Sequence, residues 1–183
     1  MKRIYIFLTV AFIFCFCMTG ISLGQEDIQK YPSCKYCGMN RQQYAHSRVF
    51  IEYDDGTSIG TCSIHCAAVE LALQLDKTPK AITVGDYGSK ALIDVEKAFW
   101  VMGGNKMGVM THRAKWAFEK KEEAEKFIKE NGGVIASFDQ AIKASYEDMY
   151  ADTKMIRERR QARRMKMMEE KKMDHKGMEQ KHP

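Results

Sequence analysis

The sequence predicts an α+β fold, two tandem β-β-α-β units followed by a C-terminal helix. Three observations predict it. Short apolar runs occur in pairs, at Val49–Tyr53 with Thr57–Cys62 and at Ala98–Val101 with Lys115–Phe118. Each pair is followed by a helix-length segment and then one more short apolar run. From Phe138 onward strand signals cease and good helix formers predominate.

Taken in order, residues 25–33 read as a polar lead. Val49-Phe50-Ile51-Glu52-Tyr53 reads as a strand, and Asp54-Asp55-Gly56 as the hairpin turn, because Asp and Gly tolerate the positive φ such turns require. Thr57 to Cys62 returns as the second strand. Ile64 to Leu75 has apolar Ile64, Ala68, Leu71 and Leu75 at helical spacing, with Glu70 on another face. Ala81 to Val84 closes the first unit as a strand. Ala98 to Val101 and Lys115 to Phe118 form the strand pair of the second unit, interrupted by Gly103-Gly104-Asn105. Glu119 to Glu130 is a charged helix burying Ala124, Phe127 and Ile128, and Asn131-Gly132-Gly133 stops it. Val134 to Ala136 is the closing strand. The repeat lies in element order, with little residue identity between the halves. The expected division is residues 34–95 for the first unit, 96–140 for the second, and 141–183 for the C-terminal helix and tail. That helix is expected to run to about Lys172 and to fray from Asp174 to Pro183.

Residues 1–24 have the order of an export signal. Lys2 and Arg3 are followed by an uncharged apolar run and then by Ser22-Leu23-Gly24 ahead of Gln25. An uncleaved membrane anchor is the alternative, since the uncharged stretch approaches the ~20 residues that span a bilayer. Lipid attachment at Cys15 or Cys17 fits less well, because Phe14 and Phe16 are bulky where such a signal has small residues. The mature chain is therefore expected to be periplasmic or otherwise exported. The net charge of +5 is concentrated in residues 154–183, where eleven Lys/Arg face five Asp/Glu. The rest is nearly neutral, which argues against a nucleic-acid-binding face.

Four cysteines follow the signal, at positions 34, 37, 62 and 66. In Cys34-Lys35-Tyr36-Cys37-Gly38-Met39 two thiols can face one ion, Gly38 allows a tight turn, and Met39 adds a thioether. Thiolate and thioether are soft donors that select Cu(I) over hard cations. A redox dithiol, half of a zinc site and a disulfide use the same spacing. Cys62-Ser63-Ile64-His65-Cys66 stands at a strand-to-helix junction, where the helix N-terminus favours thiolates and His65 adds an imidazole. Met107-Gly108-Val109-Met110-Thr111-His112 lies in a loop, where Met110 can complete a Cu(I) site or cap the core. The candidate ligands are thus Cys34, Cys37, Met39, Cys62, His65, Cys66 and Met110. The donor set points to Cu(I) held for delivery, with a structural zinc site or a thiol oxidoreductase as alternatives. The methionines and histidines of the tail read as part of a solvated basic helix, with weak copper capture or adhesion to an acidic partner or membrane as functional readings. No hydrolytic nucleophile motif stands out.

The chain resembles the NosL family, the accessory proteins of nitrous oxide reductase. The likeness rests on Cys34-x-x-Cys37-Gly38-Met39, the Asp55-Gly56 turn and Ala98-Phe99-Trp100-Val101-Met102-Gly103-Gly104. It continues through Gly108-Val109-Met110, Ala117-Phe118 and the Ala124–Gly133 helix, covering roughly residues 34–140. The resemblance implies an exported, non-enzymatic copper chaperone, usually a lipoprotein, built of two β-β-α-β units. It implies Cu(I) as cargo, a nitrous oxide reductase-like client and a membrane transporter complex as partners. Cys37, Met39 and Met110 match the family's motif residues. The Cys62–Cys66 motif and the long basic tail depart from the usual pattern.

Overall fold

The computed structural model describes residues 25–179, with side chains as far as Met173. The expected signal segment, including Cys15 and Cys17, lies outside the described residues. The first elements are helix α1 (Glu26–Lys30), strands β1 (Val49–Tyr53) and β2 (Ser58–Thr61), helix α2 (Ile64–Leu73), and strands β3 (Pro79–Gly85) and β4 (Leu92–Asp94). Then come β5 (Phe99–Met102), β6 (Lys115–Phe118), α3 (Lys121–Asn131), β7 (Val134–Ala136) and the long helix α4 (Phe138–Glu179). Two antiparallel sheets result, ordered β2-β1-β3-β4 and β6-β5-β7. The α+β class and the repeated β-β-α-β order are as the sequence predicts.

Local chemistry explains most boundaries. The β1–β2 turn forms as read: Gly56 has φ +80° and the Asp55 carboxylate accepts from Thr57 N–H at 2.8 Å. α3 carries Glu122 and Glu123 in its first turn and Lys129 in its last, complementing the helix dipole. It stops where Gly132 and Gly133 take φ +73° and +102°. α4 opens on a capping box, Gln140 N–H donating to Ser137 Oγ and Ser137 N–H to Gln140 Oε1.

Four elements differ from the sequence expectation. The polar lead is helical, and its Asp27 is buried between the guanidiniums of Arg41 and Arg48 at 2.7 and 2.9 Å. Three-residue β4 extends the first sheet by pairing with β3, a strand too short to declare itself by alternation. α2 ends at Leu73, leaving Leu75 outside it and 87% exposed. Glu70, on a face other than that of the apolar stripe, is buried, because two tyrosine hydroxyls and a lysine reach its carboxylate. At the far end, α4 continues through Glu179 instead of fraying at Asp174. Its stretch from Arg157 to Met173 is exposed at every position, so intrinsic propensity rather than packing supports it.

The two units share one apolar interior. Val49, Ile51, Ile64 and Val84 of the first pack with Trp100, Ala117 and Ala136 of the second and with Phe138 and Ala141 of α4. Trp100 is fully buried, donating its indole N–H to Val95 O at 2.9 Å. A polar joint links the sheets: Tyr87 N–H donates to Ala117 O, and buried Asp86 accepts from Glu119 N–H, both at 2.8 Å. At the base of the joint, the backbone of Gly85 runs against that of Ala45. A Cβ at position 85 would lie 2.0 Å from Ala45 O. A main-chain carbonyl cannot swing aside as a side chain can, so Gly85→Ala is expected to cost about 1–3 kcal/mol. Urea unfolding of the reduced, metal-free protein measures that cost; a variant as stable as the parent would show that this contact relaxes freely.

Candidate metal centre

Two loop segments bring the cysteines together. The Cys34–Asn40 loop is closed by Cys34 N–H to Met39 O and Gly38 N–H to Cys34 O, both 2.9 Å, and by a bridge between Ser33 and Asn40. Gly38 sits at φ +74°, a conformation an L side chain would strain. The closed loop turns Cys34 and Cys37 toward the start of α2. There Cys62 leaves β2, Ser63 is the N-cap, and Cys66 lies one turn into the helix. The N-terminal turn of α2 adds partial positive charge beneath Cys62 and Cys66.

The four Sγ atoms all lie within 4.8 Å of one another, and Cys34, Cys62 and Cys66 are buried while Cys37 is half-buried. Sγ of Cys62 is 3.4 Å from Cys37 and 3.7 Å from Cys66. All four are free thiols; a disulfide would require sulfurs ~2.05 Å apart. A tetrahedron of ~2.3 Å metal–sulfur bonds has edges of ~3.8 Å, close to these separations. Second-unit side chains wall the cluster, among them Val101, Val109, Trp116 and Phe127. The thiols come from the first unit and their apolar surroundings largely from the second.

Proton sharing within the cluster is uneven. Hydrogen bonds from Cys37, then Cys62 and Cys66, draw the Cys34 thiol well below its ordinary value. Cys37 is also lowered: its bond with Cys34 raises it, but those with Cys62 and Cys66 outweigh that. Cys62 and Cys66 are pushed up, first by their bonds to Cys34 and Cys37 and then by burial. The four sulfurs therefore share protons as one hydrogen-bonded group. A soft cation entering the cluster displaces those protons and neutralises negative charge that burial alone disfavours.

A second layer holds the loop in place, and the sequence reading missed it. Tyr36, between the two loop cysteines, donates its hydroxyl to Glu70 of α2 in a short hydrogen bond, and Tyr53 donates to the same carboxylate at 3.1 Å. Lys35 reaches it at 3.5 Å. A carboxylate among apolar positions on a helix was the available signal. Its partners lie at sequence distances that no local pattern reveals.

Beside the cluster opens a cavity of about 500 Å³, lined in part by Cys37, Met39, Met107, Met110 and Met155. Cys37 thus belongs to both the sulfur cluster and the cavity wall. Met110 adopts φ +63°, rare outside glycine, Asn and Asp, at this wall. His46 also lines the cavity, and burial lowers its pKa.

Among the expected ligands, the structure thus assembles Cys34, Cys37, Cys62 and Cys66, and places Met39 and Met110 against the same apolar cluster. His65 is the exception. Its Nδ1 faces Asp152 Oδ2 of α4 at 3.4 Å, and the imidazole is not among the grouped ligand atoms. Adjacent residues on a helix point ~100° apart, so Cys66 facing the cluster directs His65 away from it. Burial lowers the His65 pKa, which favours a neutral imidazole in the α2–α4 interface.

The NosL family profile matches residues 25–168. The chain belongs to the NosL family. Among solved structures, it is similar to the copper chaperone NosL from Shewanella denitrificans, with a TM-score of 0.47 and 23% identity over 58% of this chain and 87% of that one. The family assignment rests on the profile match and not on that structural likeness. No curated protein sequence matches the chain. Within this NosL chain, Cys37, Met39 and Met110 line the cavity, while Cys34, Cys62 and Cys66 complete the sulfur cluster with Cys37. No helix among the described residues is long and apolar enough to cross a membrane.

Proposed function

We propose that this NosL protein is an exported Cu(I)-binding accessory protein that carries the ion to a copper enzyme and performs no catalysis of its own. One observation carries the reading: four sulfurs converge within 4.8 Å, and the sulfur of Cys37 is half-buried beside an open, thioether-lined cavity. Cys34, Cys37, Cys62 and Cys66 hold the cargo, and Met39 and Met110 receive it as it leaves. Soft thiolates bind Cu(I) strongly, and the thioethers offer weaker sites toward which it can exchange. Family membership supports nitrous oxide reductase as the client, with a membrane transporter complex in the same route and the periplasm as the compartment.

The test is a Cu(I) titration of reduced, metal-free protein against a chromogenic copper chelator. The protein is expected to retain the ion at sub-micromolar free Cu(I). Surrender of all copper to the chelator under those conditions overturns the reading.

A structural zinc site is the second reading, favoured by sulfur separations that match the edges of a zinc–thiolate tetrahedron. It predicts stoichiometric zinc in the purified protein and unfolding on chelation. The thioethers of Met39 and Met110 beside the thiols weigh against it, since a closed four-thiolate zinc site has no use for additional soft donors.

A further inference from the structure

The mouth of the cavity carries a charge pattern that metal binding does not use. Lys106, Arg159, Arg160 and Arg163 line it, and no aspartate or glutamate does. Several cations elsewhere are paired, Arg41 and Arg48 with Asp27, Arg113 and Lys115 with Asp148, Lys77 with Asp55, although other exposed ones such as Lys80 and Lys126 are not. Among the described residues, the four cations at the mouth have no ion-pair partner. Their contacts are with neutral groups. Arg160 donates to Cys37 O at 3.3 Å, Arg159 lies 3.8 Å from Met107 Sδ, and Lys106 stands over the rings of Tyr87 and Phe127.

Arg159, Arg160 and Arg163 share one side of α4 at i, i+1 and i+4, where like charges repel. Lys106 adds a fourth from the loop on the other side. Such a concentration costs the free protein stability, and an opposing negative surface relieves it. The four cations line the same cavity as Cys37, the least buried of the cluster cysteines, and Arg160 contacts its carbonyl, so an acceptor that reaches Cys37 through the cavity passes them.

We propose that this collar is the docking surface for an acidic copper-exchange protein, whose carboxylates seat around the mouth while its own sulfur donors reach Cys37. The proposal deepens the copper-carrier reading and rests on it for the exchange step alone. All four cations are exposed. They form no desolvated nest for a small anion, and a concave mouth fits a convex protein surface better than a flat bilayer. The exchange itself leaves the metal as Cu(I). A bond to the acceptor's sulfur forms as the bond to Cys37 breaks, and the proton released by an acceptor thiol passes to the departing Cys37 thiolate. Opposite charge raises the encounter rate, and the gain falls with salt.

Two synthetic peptides with the same Cys-x-x-Cys core, one flanked by glutamates and one by lysines, test this. At low ionic strength, the copper-loaded full chain is expected to transfer Cu(I) to the acidic peptide roughly ten-fold faster or more, and the preference is expected to collapse in high salt. The variant Lys106→Gln/Arg159→Gln/Arg163→Gln is expected to lose the preference. Lys171→Gln/Lys172→Gln, exposed on the same helix more than two turns beyond Arg163, is expected to keep it. Fluorescence anisotropy of the labelled acidic peptide with metal-free protein decides docking independently of copper, so failure to hold Cu(I) leaves this proposal testable. Equal behaviour of the two peptides, or a preference that survives in the mouth variant, overturns it. So does displacement by sub-millimolar inorganic phosphate, which marks a small-anion site, or tighter binding to phosphatidylglycerol vesicles than to the peptide.

Discussion

Cys37→Ser is expected to lower Cu(I) affinity by roughly a hundred-fold or more, measured by chelator competition on reduced protein. Changes in residues that merely support metal ligands already cost about 10–100-fold, so loss of a ligand should cost at least as much. The reason is local. Cys37 lies 3.4 Å from Cys62 and is the one cluster sulfur that also faces the cavity. A serine hydroxyl is a hard donor and fills the space without replacing the soft bond. Met39→Leu and Met110→Leu keep the apolar volume and all four thiols. They are expected to change affinity far less and to slow transfer to an acceptor. His65→Ala is expected to leave Cu(I) affinity nearly unchanged, because the imidazole faces Asp152. A Cys37→Ser protein that binds Cu(I) as tightly as the parent would remove Cys37 from the site. A His65→Ala protein that loses affinity would restore His65 to it.

Asp27→Asn is expected to destabilise the protein by about 3–5 kcal/mol, the cost of stripping the counter-charge from a buried ion pair. Here one carboxylate serves two guanidiniums. Arg41 reaches it at 2.7 Å, and Arg48 at 2.9 and 3.1 Å, with both arginine side chains fully buried. Arg41 also donates to Thr61 O at 3.0 Å, immediately before Cys62, and to Tyr31 O at 2.9 Å. Ser47 donates to Cys62 O at 2.9 Å in the same region. The triad therefore ties α1 to the strand end that presents Cys62. Urea denaturation of metal-free protein measures the loss; a change below ~1 kcal/mol would mean that water or a rearranged partner compensates the arginines. Copper affinity is expected to fall less than in Cys37→Ser, since the thiols remain and only their framework loosens.

Much of the architecture was legible because its signals are local. Asp55-Gly56 declares a turn through backbone φ, Asn131-Gly132-Gly133 declares a helix stop, and Val49, Ile51 and Tyr53 declare a half-buried strand by period two. What escaped has long-range causes. The α1 helix is short and polar, and Asp27 becomes a core residue because two arginines farther along the chain need it. Glu70 stands off the apolar stripe in sequence, and its burial depends on Tyr36 and Tyr53, whose hydroxyls satisfy it. His65 looks like a ligand because it stands beside Cys66, yet helical geometry sends the two neighbours in different directions.

Residue type fixes the donor chemistry, four thiols and accompanying thioethers, and local patterning fixes the order of the elements that carry them. Which donors meet is a matter of packing between distant segments. That packing closes the Cys34–Cys37 loop over the start of α2, turns His65 toward α4, and brings Arg160 to the backbone of Cys37 across most of the chain. The physical reason is that donor type belongs to single side chains. Convergence on one point depends on side-chain directions and packing between segments far apart in sequence, which local periodicity does not encode.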